Sequence, residues 1–258
     1  MSVVAFSHVA IRVSDLDRSL ELYRDRFGFR PRSQLVVTDA PSFREAGVDD
    51  LQMLAWFGHR DGCVVELQAV TSRSRGPIPI PPGELGFRHL AFRARDVEQT
   101  ARALEFAGGT IDWATRTRTQ NVDVDGEALF GADPAGQRLE LLELAGGPEQ
   151  PVGAPLEDPG RAGDGTVDAF DYVAVGVADL ARATAFYSSE GLAGEVEARG
   201  DAWVRVRIFS ARILLEQASS ASPRLGIRRL AFVGEAAARI EDPDGPELVV
   251  RAADERGA

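Results

Sequence analysis

The chain has 258 residues, 44% of them hydrophobic, enough for one sizeable core or two smaller ones. A formal net charge of −11 and the absence of a long basic run argue against nucleic acid as a partner, and "TRTRT" at 115–119 reads as one charged strand face. No run of about 18 apolar residues occurs, so no membrane span is expected. Cys63 is the only cysteine, which excludes an intrachain disulfide and suits a reducing compartment. The start, "MSVVAFSHVAIRVSD", has no basic region leading into an apolar stretch, so a cytoplasmic location is expected.

In chain order, the first element is a strand. Val9, Ile11 and Val13 alternate with His8, Ala10 and Arg12. Ser14 is placed to cap a helix whose apolar stripe is Leu16, Leu20, Tyr23 and Phe27, with Gly28 as the stop. Three short strands follow, at about 29–37, 51–57 and 63–70, with "HRDG" at 59–62 as a hairpin turn. Module one is therefore βαβββ. "FRHLAFRARDVEQTARALEFAGG" at 87–109 restarts the pattern, with Asp96 as helix cap. Strands at about 110–117, 128–132 and 138–144 complete module two, "DPAG" at 133–136 being the last turn. "FDYVAVGVADLARATAFYSSEGL" at 170–192 opens a third copy. "LGIRRLAF" at 225–232 opens a fourth, which is too short for a full helix before its next strand.

Proline- and glycine-rich stretches divide the copies. Residues 72–84 tether module one (1–71) to module two (86–145), and residues 146–166 form a linker. The expected organisation is α+β, with two domains of tandem βαβββ modules at 1–145 and 167–252, the second abbreviated.

His8 and His89 sit on the first strands of modules one and two, and Glu66 and Glu140 on the last. A carboxylate in an apolar strand is costly to bury without a partner. If those strands line a common groove, two imidazoles and two carboxylates converge as an N₂O₂ metal set, leaving two of six octahedral positions for water or substrate. His59, on a polar hairpin tip, reads as solvated.

The phrases "HVAIRVSDLDRSLELYRDRFGF", "GFRHLAFRARDVEQTARAL" and "DPAGQRLELLEL" resemble the vicinal oxygen chelate superfamily. That group includes glyoxalase I, methylmalonyl-CoA epimerase, extradiol dioxygenases and the fosfomycin and bleomycin resistance proteins. The resemblance covers 1–145 well and 167–252 more weakly. It implies glyoxalase-like cupped half-barrels, with His8, Glu66, His89 and Glu140 binding one divalent ion (Ni, Zn, Co, Mn or Fe). The set is similar to that of glyoxalase I. The implied chemistry is proton transfer through an enediolate on a small molecule with vicinal oxygens, by a lyase, epimerase or isomerase. Glu66 is the better base candidate and Glu140 the ligand. The alternatives are an extradiol-type dioxygenase and a small-molecule or antibiotic binding protein without turnover.

In the second half the four corresponding positions read Tyr172, Glu216, Arg229 and Val249. Arg229 has no lone pair for a cation and is expected to pair with Glu216 or another carboxylate. The second domain is therefore expected to be a degenerate copy. The protein is expected to be a monomer with an internal pseudo-dimer, or a homodimer.

Overall fold

The computed structural model of the chain describes residues 3–13, 15–37, 52–58, 64–72, 76–77, 86–119, 126–145, 165–189, 192–209, 211–218, 227–234, 238–241 and 247–252. The hairpin at 59–62 and most of the two linkers lie outside them.

Strand β1 is Val3–Val13. Val9, Ile11 and Val13 are buried on one face, as their alternation requires. Asp15, rather than Ser14, caps the following helix: its carboxylate accepts from Arg18 N in front of α1 (Leu16–Leu20). The helix runs on as a π-helical segment, Glu21–Arg26, and ends at Gly28, whose φ of 84° is the left-handed value expected of a helix stop. Strands β2 (Arg30–Val37), β3 (Gln52–Gly58) and β4 (Val64–Ser72) follow as expected, with a two-residue β5 (Gly76–Pro77) on β4. Module two is β6 (Gly86–Ala94), α2 (Val97–Phe106, capped by Asp96), β7 (Thr110–Thr119), β8 (Gly126–Ala132) and β9 (Arg138–Leu144). Module three is β10 (Val167–Val177), α3 (Leu180–Tyr187), β11 (Glu195–Arg199), β12 (Trp203–Ile208) and β13 (Ala211–Gln217). Module four has β14 (Ile227–Gly234), β15 (Ala238–Glu241) and β16 (Glu247–Ala252) among the described residues.

The sheets join the modules crosswise. One runs β15-β16-β14-β1-β4-β3-β2 and combines modules one and four; the other runs β11-β12-β13-β10-β6-β9-β8-β7 and combines modules two and three. This differs from the expectation that modules one and two share a groove. Each first strand is parallel to the last strand of its own module and leaves its other edge open. The open edge of β1 is closed by β14, antiparallel, and that of β6 by β10. Because β6 and β14 carry nearly the same frame, "LGFRHLAF" and "LGIRRLAF", the sequence offers β1 two similar edges and does not say which it takes.

One apolar core serves both sheets. At its centre Phe92 of β6 meets Tyr23, Phe27, Phe29 and Phe170 at ring-centroid distances of 5.4–6.4 Å. A buried polar contact crosses the same region, Tyr23 Oη donating to Asp133 Oδ2 at 3.1 Å in the "DPAG" turn. Residues one position out of phase with the core point to the opposite sheet faces. On the second sheet those residues form a separate cluster of Ala91, Ala128, Leu142, Tyr172, Ala174 and Leu214, with Leu144 and Trp203 packed at its margin. A flat sheet would leave such a face wet. Here its central residues are almost fully buried, as are His8 and Glu66 on the corresponding face of the first sheet, and each of these two faces is termed a cup.

Candidate functional site

The four proposed ligands lie on the faces turned away from the shared core, in two separate places. In the first sheet Ala10 of β1 pairs in register with Glu66 of β4, two residues on from His8. His8 Nε2 stands 2.7 Å from Glu66 Oε2, and both side chains are 4% exposed or less. Gln68 Nε2 donates to the other carboxylate oxygen at 2.7 Å, and Ser7 Oγ lies 3.0 Å from His8 Nδ1. Both contacts fix the pair from behind, as outer partners orient a ligating imidazole and carboxylate.

The second sheet repeats this relation. Ala91 of β6 pairs with Glu140 of β9, two residues on from His89. His89 Nε2 stands 3.0 Å from Glu140 Oε2. Phe130 meets the imidazole edge-to-face at 5.2 Å, and the Arg138 guanidinium lies over the Phe130 ring at 4.3 Å. Tyr172 Oη donates to the same Glu140 oxygen that faces His89. Burial, and then the Glu140 charge, hold the Tyr172 phenol well above its ordinary range, so it remains a donor.

The structure thus assembles two His–Glu pairs and does not bring all four residues together. Among the described residues no group of three or more His, Cys, Asp or Glu side chains is placed to hold a metal ion. Glu66 and Glu140 do not face each other across one ion, so the division of labour expected for them, one base and one ligand of a shared centre, has no geometric basis in a single chain.

The remaining positions follow from register. Tyr172 precedes Ala174 by two, and Ala174 pairs with Leu214, so Leu214 and not Glu216 occupies the carboxylate position of module three. Glu216 is engaged elsewhere, accepting from Arg88 at 3.1 Å. Its expected partner Arg229 lies on β14, in the other sheet. In module four Arg229 precedes Ala231 by two, and Ala231 pairs with Val249. Each cup therefore combines one module that keeps the pair with one that has lost it.

A charged ladder on the second sheet was not foreseen. Arg93 and Arg212 each reach Asp171 Oδ1 at 3.2 Å, and Arg212 and Arg205 reach Glu197 at 3.1 and 3.0 Å. The sequence signal for it was Asp171, a carboxylate in the middle of a mostly apolar strand.

The pairs can be tested against a divalent ion. Two ligands at about 2.1 Å from one ion and at right angles to each other stand about 3.0 Å apart. The observed 2.7 and 3.0 Å are hydrogen-bond lengths that also lie near that spacing. Each cup thus fits as half of a centre, supplying one imidazole nitrogen and one carboxylate. The four-ligand set expected from the sequence does not form within one copy.

The sequence profile of the Glyoxalase/Bleomycin resistance protein/Dioxygenase superfamily matches residues 5–141. The chain is 27% identical over 139 residues to a lactoylglutathione lyase from Haemophilus influenzae, a match spanning 53% of this chain and 90% of that protein. It is 28% identical to a probable lactoylglutathione lyase from Synechocystis, over 54% of this chain and 94% of that one. Two solved structures share the fold across nearly the whole chain. Glyoxalase I from Zea mays has a TM-score of 0.65 at 19% identity, covering 95% of this chain and 91% of that one. A putative dioxygenase from Bacillus subtilis has a TM-score of 0.66 at 12% identity, covering 97% and 86%. No described helix is long and apolar enough to cross a membrane. With more than half of its length matched by that profile, the chain belongs to the glyoxalase/bleomycin resistance protein/dioxygenase superfamily.

Proposed function

We propose that the protein is a lyase or isomerase that moves a proton at a carbon beside two vicinal oxygens of a small molecule, with a divalent metal as cofactor. The observation that carries this reading is the repeated pair: a buried imidazole nitrogen 2.7–3.0 Å from a buried carboxylate oxygen, at the same register in both cups. A buried carboxylate needs partners, and each of these has its imidazole and one further donor, Gln68 or Tyr172, the kind of support that orients metal ligands. The low-identity relatives named lactoylglutathione lyase support the lyase reading.

His8 with Glu66, and His89 with Glu140, would hold the cation. When bound it supplies positive charge that stabilises negative oxygens next to the C–H bond. The protein's own part is positioning and proton handling. In the second cup Glu140 is the carboxylate within reach of a substrate beside His89, and Tyr172 fixes its rotamer by hydrogen bonding. The apolar wall of Ala91, Ala128, Leu142 and Leu214 excludes water, which strengthens every charge interaction inside. A binder without turnover is the second reading. It is favoured by Leu214 and Val249, apolar residues at two of the four carboxylate positions.

Solvent exchange separates the two readings. Protein loaded with nickel, zinc, cobalt, manganese or iron(II) is incubated in D₂O with lactoylglutathione and with a panel of 2-hydroxy ketones and 2-substituted acyl thioesters. An enzyme of the proposed kind incorporates deuterium at the carbon beside the carbonyl, seen by NMR, and loses that activity in Glu140→Gln. No exchange with any compound and any metal leaves the binding reading in its place.

A further inference from the structure

The second cup carries a charged ladder beside its apolar floor, and proton transfer at His89 and Glu140 makes no use of it. We propose that Arg205, backed by Arg212, forms an anion subsite of this cup, which takes the far carboxylate of a substrate whose vicinal oxygens lie at His89 and Glu140. The proposal deepens the proton-transfer reading and rests on it for the second of these anchors.

Register is the first argument. His89 pairs with Ala174, Ala174 with Leu214, and Leu214 with Arg205. One cross-strand row therefore runs from the imidazole over two apolar residues to a guanidinium. The row lies on the face opposite the shared core, because the chain neighbours Leu90, Val173, Ile213 and Val204 all belong to that core. Three strand spacings of about 4.8 Å separate its ends, about 14 Å of sheet. Such a span fits an aliphatic chain between the reacting carbon and a terminal charge. Trp203, two residues before Arg205 on the same face, packs at the margin of the apolar cluster and walls that chain in.

Charge is the second argument. Three arginines share Glu197: Arg205 and Arg212 reach Oε2 at 3.0 and 3.1 Å, and Arg207 reaches Oε1 at 3.1 Å. Arg212 has Asp171 as a second carboxylate, and Arg207 has Glu195. Among the described residues Arg205 has no second carboxylate, and its buried Nε makes no hydrogen bond although Glu197 stands near it. A mostly buried cation with only a share of one carboxylate lacks a full counter-charge. One further carboxylate supplies it, and the planar guanidinium offers paired N–H groups in the geometry that a carboxylate accepts.

The test uses the full chain carrying His8→Ala, so that metal is read in the second cup alone. Metal-free protein is titrated calorimetrically with octanoate and with 1-octanol. Octanoate binds at least tenfold more tightly; Arg205→Gln abolishes that preference, and Arg116→Gln, in an exposed ion pair elsewhere, keeps it. Nickel-loaded protein is then titrated with 2-oxosuberate and 2-oxooctanoate, which share the 2-oxo acid head and the chain length and differ in the far carboxylate. 2-Oxosuberate binds at least tenfold more tightly. Arg205→Gln brings it down to the level of 2-oxooctanoate, whose own affinity is unchanged, a result that a misfolded variant cannot give. His89→Ala weakens both. Equal affinities within either pair of compounds, or a preference that survives Arg205→Gln, overturns the subsite and leaves the His89–Glu140 reading standing. An octanoate preference that depends on Arg205 in a protein that takes up no nickel keeps the subsite and overturns that reading.

Discussion

Asp133 is fully buried beneath the junction of modules one and two, and its titration should be visible in the stability of the whole fold. Burial pushes its carboxyl from an ordinary 3.8 up to about 6, against hydrogen bonds from Gln137, Tyr23, Ala135 and Gly136 that pull the other way. A rise of that size corresponds to about 3 kcal/mol. The sign follows from proton counting. Below pH 4 folded and unfolded chains both hold the proton. Between about 4 and 6 the unfolded chain has released it and the folded chain has not, so stability falls as pH rises through this window, by about 2 kcal/mol of the roughly 3 kcal/mol total. By about pH 7 the loss is complete and constant. Asp133→Asn removes the titration and keeps most of the geometry. Its Oδ1 can accept from the backbone N–H groups of Ala135 and Gln137, as the carboxylate does at 2.9 and 2.8 Å. Its amide can donate to Tyr23 once that hydroxyl rotates. Urea unfolding of both proteins at pH 4, 5, 6 and 7, followed by far-ultraviolet circular dichroism, reads the difference. Wild type minus variant should drop by about 2.4 kcal/mol between pH 4 and 7, all other groups being common to both. Parallel profiles would show that the Asp133 carboxyl is not desolvated by this core.

Two further outcomes are expected. Phe92→Ala removes the ring that joins Tyr23, Phe27, Phe29 and Phe170, and should cost about 3–5 kcal/mol in urea unfolding, since elements of three modules converge there and cannot easily collapse into the gap. The pair Tyr172→His with Leu214→Glu restores, by register, a second His–Glu pair facing the first in the second cup. It should tighten zinc or nickel binding at least tenfold in a competition titration, and unchanged affinity would show that the two halves of that cup do not face one ion.

Much of the fold was legible because its signals are local. Alternation marked β1, β6 and β10, and the frame that places His two residues before an Ala also placed Glu66 and Glu140 opposite that Ala on a parallel neighbour. What escaped was non-local. Four first strands with similar edges do not encode which edge meets which, so the crossed pairing of modules, and with it the splitting of four ligands into two pairs, had no signature in the chain. The position of Leu214 was misread as Glu216 because a two-residue slip returns every side chain to the same face, and periodicity cannot detect it. The cap was misplaced by one for a related reason: Ser14 and Asp15 are both competent, and only backbone geometry distinguishes them. Tyr23 reads as a stripe residue and Tyr172 as the counterpart of His8. Their hydroxyl partners, Asp133 and Glu140, are 110 and 32 positions away.

The number of ions per chain bears on the central proposal, that each cup holds its own His–Glu pair. Metal content would be measured after loading with nickel and desalting, for wild type, His8→Ala, His89→Ala and the double variant. Two half-sites give up to two ions in wild type, one in each single variant and none in the double. One ion in wild type, lost entirely in either single variant, would mean that His8 and His89 share one centre, and the claim that each pair binds on its own would be wrong.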